Sequence, residues 1–261
     1  MKIDLNGYRA VIGGSSRGLG YAIACQLADC GAQVTLMARN REKLQDALNR
    51  LPQPSGAAHD FLVVDYSHFD QFQSLTNEFF KDKSIDILVN NTNGPKAGRV
   101  LEKTVDDYQE AFDLLFKTYH HLSHLLLPKM KIKGYGRIIN VSSISVKEPM
   151  ANLVLSNSIR SVVISWAKSL SRELAENGIT VNNILTGSFE TERIEELVQA
   201  QSEETGISFE TLLEEKKNAI PQKRFGQPEE YGYLAAFLAS PFSAYINGTN
   251  IPIDGGFLNS F

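Results

Sequence analysis

Short apolar runs alternate along the chain with stretches in which apolar residues recur every three or four positions; the first pattern marks strands and the second helices. Runs at residues 10–12, 33–37, 61–64, 85–89, 136–141, 179–184 and 248–253 predict seven strands. The helical pattern begins after the first run, with Ile23, Leu27 and Ala28 on one face. Asn40 caps the next helix. Thr104 and Asp107 form a capping box for a long helix carrying Phe112, Leu115, Tyr119, Leu122, Leu126 and Met130. Gly178 ends another helix, and Pro228 starts a last one that runs through Ala239. Strands alternating with helices predict an α/β fold with a doubly wound parallel sheet of about seven strands and helices on both faces. Residues 188–222 carry two charged amphipathic pieces, with Ile194, Leu197 and Val198 on one and Phe209, Leu212 and Leu213 on the other. They suit a mobile lid over a ligand; an interaction surface or plain packing gives the same pattern. No repeat, linker or low-complexity tract divides the chain, so residues 1–261 read as one domain.

The turn between the first strand and the first helix, Gly13-Gly14-Ser15-Ser16-Arg17-Gly18-Leu19-Gly20, changes this from a fold to a Rossmann-type site. Gly14 permits a backbone conformation that a Cβ atom would obstruct, Gly18 lets the main chain approach a pyrophosphate, and Gly20 lets the helix pack closely. The N–H groups of the helix start then face an anion, and Ser16, Arg17 and Leu19 complete the candidate cofactor residues of the turn. An ordinary tight turn is the alternative.

The residues after the second strand select the cofactor. A carboxylate there would accept from ribose hydroxyls and repel a 2'-phosphate, but the chain has Ala38 and Arg39. Arg17 and Arg39 converging on a phosphate would contribute about 1.5 to 3 kcal/mol for each hydrogen bond to charge. That predicts NADP(H) over NAD(H) by roughly ten-fold; a solvated Arg39 is the alternative. Asp65, with Tyr66 beside it, ends the third strand where a carboxylate can meet the adenine amino group. Asn91 ends the fourth, where an amide can tie the loop to its neighbours and leave a floor for the cofactor.

Composition narrows the partners. The 261 residues are 43% apolar, enough for a large core, and the formal net charge of −4 argues against nucleic acid. The start lacks the apolar core of a signal peptide, and no run approaches the ~20 apolar residues that cross a bilayer, so a cytoplasmic protein without membrane contact is expected. Cys25 and Cys30 match no zinc or redox spacing and read as structural thiols. His120, His121 and His124 have no partner cluster, so no metal is expected and they read as surface or interface residues.

Gly14, Gly18 and Gly20, Asp65, Asn90-Asn91, the run Gly136-Arg137-Ile138-Ile139-Asn140-Val141-Ser142-Ser143, Gly187, Pro228-Glu229-Glu230 and Asp254-Gly255-Gly256 together resemble the short-chain dehydrogenases/reductases. The likeness covers nearly the whole length and is strongest to the bacterial β-ketoacyl carrier-protein reductases. It implies that Ser143 orients a substrate carbonyl, that Gly187 and Thr191 lie near the nicotinamide, and that the protein forms a homodimer or homotetramer. The chain also departs from the family pattern. Gly13 replaces a threonine, and Asn90-Asn91-Thr92-Asn93 replaces Asn-Asn-Ala-Gly. Leu115 falls at the position of the relay asparagine, and Ser156 and Arg160 fall where the family places its tyrosine and lysine.

The implied chemistry is unusual. In the family the lysine lowers the tyrosine pKa so that the phenol passes a proton to the developing alkoxide. Ser156 has no comparably acidic hydroxyl, and losing a general acid costs about 10² to 10⁴ in rate. Arg160 keeps a positive charge and can grip the nicotinamide ribose, but an arginine does not exchange protons. Lys147, Glu148 and Tyr119 are candidate substitute donors, each also explained by a surface or packing role. Two functions are compatible with these residues. One is an NADP(H)-dependent oxidoreductase, 3-oxoacyl-carrier-protein reductase-like, acting on a small carbonyl or alcohol with Ser143, Ser156 and Arg160 in its site. The other is a catalytically silent nucleotide-binding protein, a sensor or oligomer partner.

Overall fold

Seven parallel strands form one sheet in the computed structural model, which describes residues 2–54, 56 and 58–260. They are β1 (Arg9–Gly13), β2 (Gln33–Ala38), β3 (Asp60–Val63), β4 (Ile87–Asn90), β5 (Gly136–Ser143), β6 (Ile179–Thr186) and β7 (Asn250–Ile253). Their spatial order is β3-β2-β1-β4-β5-β6-β7. Between them run α1 (Gly18–Asp29), α2 (Arg41–Asn49), α3 (Phe69–Phe80), α4 (Val105–Phe112), α5 (Thr118–Lys133), α6 (Val154–Leu174), α7 (Glu192–Thr205), α8 (Phe209–Ala219) and α9 (Pro228–Ala239).

Successive strand residues point to opposite faces, and both faces are covered, which is why the strands read as unbroken apolar runs. Ile12, Leu36, Val89, Ile139 and Ile184 meet Ile23 and Leu27 of α1 and Leu238 of α9 on one face. Val11, Met37, Leu88, Ile138 and Val181 meet Phe72 of α3, Leu122 and Leu126 of α5 and Leu170 of α6 on the other. Each such side chain contributes about 1.5 to 3 kcal/mol on burial.

Local signals act as read: the Asn40 side chain accepts from Lys43 N at 2.8 Å, and Thr104 and Asp107 bond reciprocally at the start of α4. Three expectations need correction, the first being that the seventh strand starts at Asn250 rather than residue 248, Gly248 having φ +70°. The fourth strand starts at Ile87 rather than residue 85, because the buried Asp86 carboxylate is occupied by Arg9 N at 2.9 Å and Lys133 Nζ at 2.6 Å. The long helix is interrupted: α4 passes into α5 through a π-helical turn, Asp113–Lys117, in which Leu115 is fully buried. Such turns widen the helix by one residue and reset the facing of the next turn.

A further feature crosses the sheet. Asn90, Asn140, Asn183 and Asn250 stand in register on β4, β5, β6 and β7. Each of the first three donates its side-chain amide to the next, at 2.9, 2.8 and 2.8 Å. The ladder lies on the face covered by α5, whose Ser123 hydroxyl takes a second bond from Asn90 at 3.3 Å.

Candidate active site

The strand order reverses between β1 and β4, and ligands of open α/β sheets bind outside the carboxyl ends of the strands at such a point. Asn91 closes the gap there, donating its amide to Gly13 O at 3.0 Å and Gly14 O at 3.4 Å. A Cβ on Gly13 would stand 2.2 Å from Asn91 O, and one on Gly20 would stand 2.3 Å from Gly14 O. Gly14 itself has φ +54°, a conformation that side chains other than glycine rarely adopt. The glycine turn is therefore a backbone-lined cradle at the N-terminus of α1, which fits a dinucleotide pyrophosphate. Gly20 allows α1 to pack on the turn itself rather than on the strand. Ser16 and Leu19 are half-buried in the turn, and Leu19 packs against the core. Ser15 stitches the turn to β2, accepting from Met37 N at 2.9 Å and donating to Ile12 O at 2.7 Å.

At the adenosine end, Arg39 is exposed after β2 and its charge reaches Asp65. Burial works to raise the Asp65 carboxyl, but two hydrogen bonds from Ser67 and the positive charge of Arg39 bring it below the ordinary carboxylate value. Tyr66 is buried. Its hydroxyl accepts from Gly14 N at 3.2 Å, so it braces the cradle from behind. Arg17 departs from expectation: it does not converge with Arg39 but is paired with Glu192 and Glu196 of α7, the Glu196 contact being 3.2 Å. The reason is local, since α7 starts against the turn; a Cβ on Gly18 would lie only 3.8 Å from Thr191 Cγ2. Arg193 of the same helix approaches Gly94 beyond β4. The amphipathic segment thus lies across the cleft from β1 to the β4 loop, with Val198 and Leu212 as its buried anchors. Gly187 is held against β7: its N–H donates to Ile253 O at 3.0 Å and a Cβ would stand 2.6 Å from Asp254 Cα.

The reacting end is built on β5 and α6. Ser143 ends β5, half-buried, and its Oγ accepts from Ser145 N at 3.1 Å, leaving its own proton to donate. Ser156 and Arg160 lie one turn apart on α6. Arg160 Nε donates to Ser156 Oγ at 3.2 Å, and its Nη1 donates to the carbonyl of Val141, two residues before Ser143. Arg160 is 8% exposed and, among the described residues, has no carboxylate within ion-pair distance. Leu115, Leu155 and Ile159 pack together alongside, an apolar wall where the family pattern has a relay amide.

Two of the substitute donors lie elsewhere. The Glu148 carboxylate is engaged by Asn259 N at 2.9 Å and Ser260 N at 2.8 Å, so it fastens the C-terminal tail. Lys147 is half-buried next to it. Tyr119, read both as a core position and as a candidate donor, is buried, with its hydroxyl on Val141 O at 3.2 Å and Arg160 nearby. His120 and His124 stack at 3.9 Å on the exposed side of α5, and His121 bonds Thr76 Oγ1 at 2.9 Å. Among the described residues no group of three or more His, Cys, Asp or Glu side chains is placed to hold a metal, and no helix is long and apolar enough to cross a membrane.

Comparison with known proteins agrees with this fold. Residues 14–258 match the family model described as enoyl-(acyl carrier protein) reductase. The chain is 32% identical to the 3-oxoacyl-[acyl-carrier-protein] reductase FabG of Rickettsia prowazekii, covering 98% of this chain and 99% of that one. It is 31% identical to the NADPH-dependent reductase BacG of Bacillus subtilis, over 96% and 98%. Among solved structures, L-sorbose reductase from Gluconobacter frateurii, complexed with NADPH and L-sorbose, superposes with a TM-score of 0.93 at 28% identity over the whole of both chains.

Proposed function

We propose a reductase function, starting from the fact that the chain belongs to the short-chain dehydrogenase/reductase family. The cofactor is NADP(H), held by the main chain of residues 14–20 at the start of α1, with Asp65 toward the adenine, Asn91 as the floor, and Gly187 and Thr191 at the nicotinamide end. Arg39 is the exposed cation for the 2'-phosphate; Arg17 joins it when the acids of α7 release it. NADPH-dependent relatives support this choice. The substrate is a small carbonyl compound or the corresponding alcohol.

The observation that carries the reading is the placement of Arg160, which touches Ser156 on one side and the end of β5 on the other. When bound, the cofactor supplies or accepts a hydride. The chain's own groups deal with the substrate oxygen. Ser143 and Ser156 each receive one N–H on Oγ and so each keep an O–H to give. Two such donors stabilise negative charge growing on an oxygen in a partly dry site, and the fixed guanidinium adds its field. The proton comes through a serine hydroxyl replenished from water rather than from an activated phenol, so turnover is slow beside that of a tyrosine-lysine site.

The test is NADPH oxidation by the purified protein with acetoacetyl thioesters, quinones and simple ketones, followed by nicotinamide absorbance. Turnover reduced by about 10² or more in Ser143→Ala is expected. Turnover indifferent to Ser143, or NADPH binding with no turnover of any carbonyl, counts against a reductase.

A further inference from the structure

Tyr119 is among the largest fully buried side chains, at 1% exposure, yet it ends in a hydroxyl that a phenylalanine would spare. A buried hydroxyl is costly unless it is bonded. This one donates to Val141 O at 3.2 Å, and Arg160 of α6 and Thr92 after β4 lie near its oxygen. Burial pushes the phenol above its ordinary pKa while the guanidinium pulls it back, so it stays protonated and donating at neutral pH. The carbonyl of Val141 is shared, because Arg160 Nη1 donates to it as well. Arg160 therefore sits among the Val141 carbonyl of β5, the Ser156 hydroxyl of α6 and the Tyr119 phenol of α5. An arginine loses up to about 2 kcal/mol of rotamer freedom when fixed, and a buried cation without a carboxylate needs such dipoles.

We propose that Tyr119 is a positioning residue: through the Val141 carbonyl that both side chains bond, it holds the Arg160 guanidinium so that Nε meets Ser156 Oγ. Being buried, Tyr119 touches neither substrate nor cofactor; its effect passes through Arg160. Tyr119 and the departures at Ser156 and Arg160 then form one network, with the phenol on α5 and the cation on α6. The catalytic consequence rests on the reductase reading above, but the positioning itself does not.

The experiment uses the full chain with Tyr119→Phe, which keeps the ring and hence the packing, together with Arg160→Gln and the double variant. The direct readout is hydrogen exchange of the Arg160 Nε–H, followed by nitrogen-15 NMR without cofactor or substrate and assigned by its loss in Arg160→Gln. Tyr119→Phe is expected to speed that exchange by roughly ten-fold at an unchanged melting profile. The kinetic readout is NADPH-dependent reduction of an acetoacetyl thioester. Tyr119→Phe is expected to lower kcat about ten-fold with KM for NADPH within about two-fold, and to have no further effect in the Arg160→Gln background. Unchanged exchange overturns the proposal whether or not the protein turns over. Absence of turnover in the unsubstituted chain, with faster exchange in Tyr119→Phe, overturns the reductase reading alone.

Discussion

Arg160 donates from Nε to the hydroxyl oxygen of Ser156 at 3.2 Å, one helical turn away on α6. The contact turns a serine, which alone is a poor acid, into an oriented donor, and it fixes a cation that has no carboxylate partner among the described residues.

Ser156→Ala is expected to lower kcat for carbonyl reduction by about ten-fold to a hundred-fold with little change in NADPH affinity, because the proposed role of the hydroxyl is at the substrate oxygen and not at the cofactor phosphates. Installing Ser156→Tyr with Arg160→Lys is expected to raise ketone reduction by about 10² or more. Steady-state kinetics of both variants checks this. A double variant no faster than the unsubstituted chain shows that the surrounding frame does not support the phenol mechanism.

Arg17 is held by Glu192 and Glu196, with all three side chains about half exposed, so each pair contributes only about 0 to 1 kcal/mol and a phosphate can displace it. Glu192→Gln with Glu196→Gln is expected to tighten NADPH binding by roughly two-fold to ten-fold, most strongly at low salt. Titration at two ionic strengths checks it; an unchanged or weaker affinity means that Arg17 takes no part in phosphate binding.

The asparagine ladder gives a stability prediction. Asn140→Leu leaves the Asn90 amide and the Asn183 carbonyl oxygen buried without each other's bridge, at a cost of about 1 to 3 kcal/mol. Urea unfolding is expected to show a lower midpoint at constant slope. A midpoint shift equivalent to less than about 0.5 kcal/mol rejects the ladder as a stabilising element.

Acid sensitivity is expected at the base of the α7–α8 segment. Arg224 donates to both Glu230 oxygens at 2.7 Å, and these bonds, with one from Gln227 N, lower the Glu230 carboxyl to about 2. Because the folded value lies below the ordinary one, this contribution is present above about pH 4.5 and is lost as the pH falls toward about 2. Melting temperature measured across that window is expected to fall more steeply for the unsubstituted chain than for Glu230→Gln. Equal slopes contradict it.

How much of this was legible in the chain depends on range. The seven strands, most of the helices, the Asn40 cap, the Thr104–Asp107 box and the glycine turn are written in contiguous residues and are found close to the predicted positions, while α3 and the π turn after α4 are not among the predicted elements. Arg17 illustrates the opposite case: its partners lie on α7, far along the chain, so a loop arginine read alone looks free for phosphate. The amide ladder depends on the register of four strands, and no single asparagine betrays it. Tyr119 obeys the apolar helical period with its ring while its hydroxyl serves the site, and the π turn ahead of it alters the facing that the period predicts. Gly13, which replaces the family's threonine, is demanded by the Asn91 carbonyl pressed against it.

Central to the account is a dinucleotide cradle whose phosphate selectivity rests on Arg39. Calorimetric titration of the unsubstituted chain and Arg39→Ala with NADPH and with NADH tests it most directly. The account predicts NADPH binding at least roughly ten-fold tighter than NADH, with the preference largely lost in Arg39→Ala. Equal affinity for the two, or no heat with either, would contradict it.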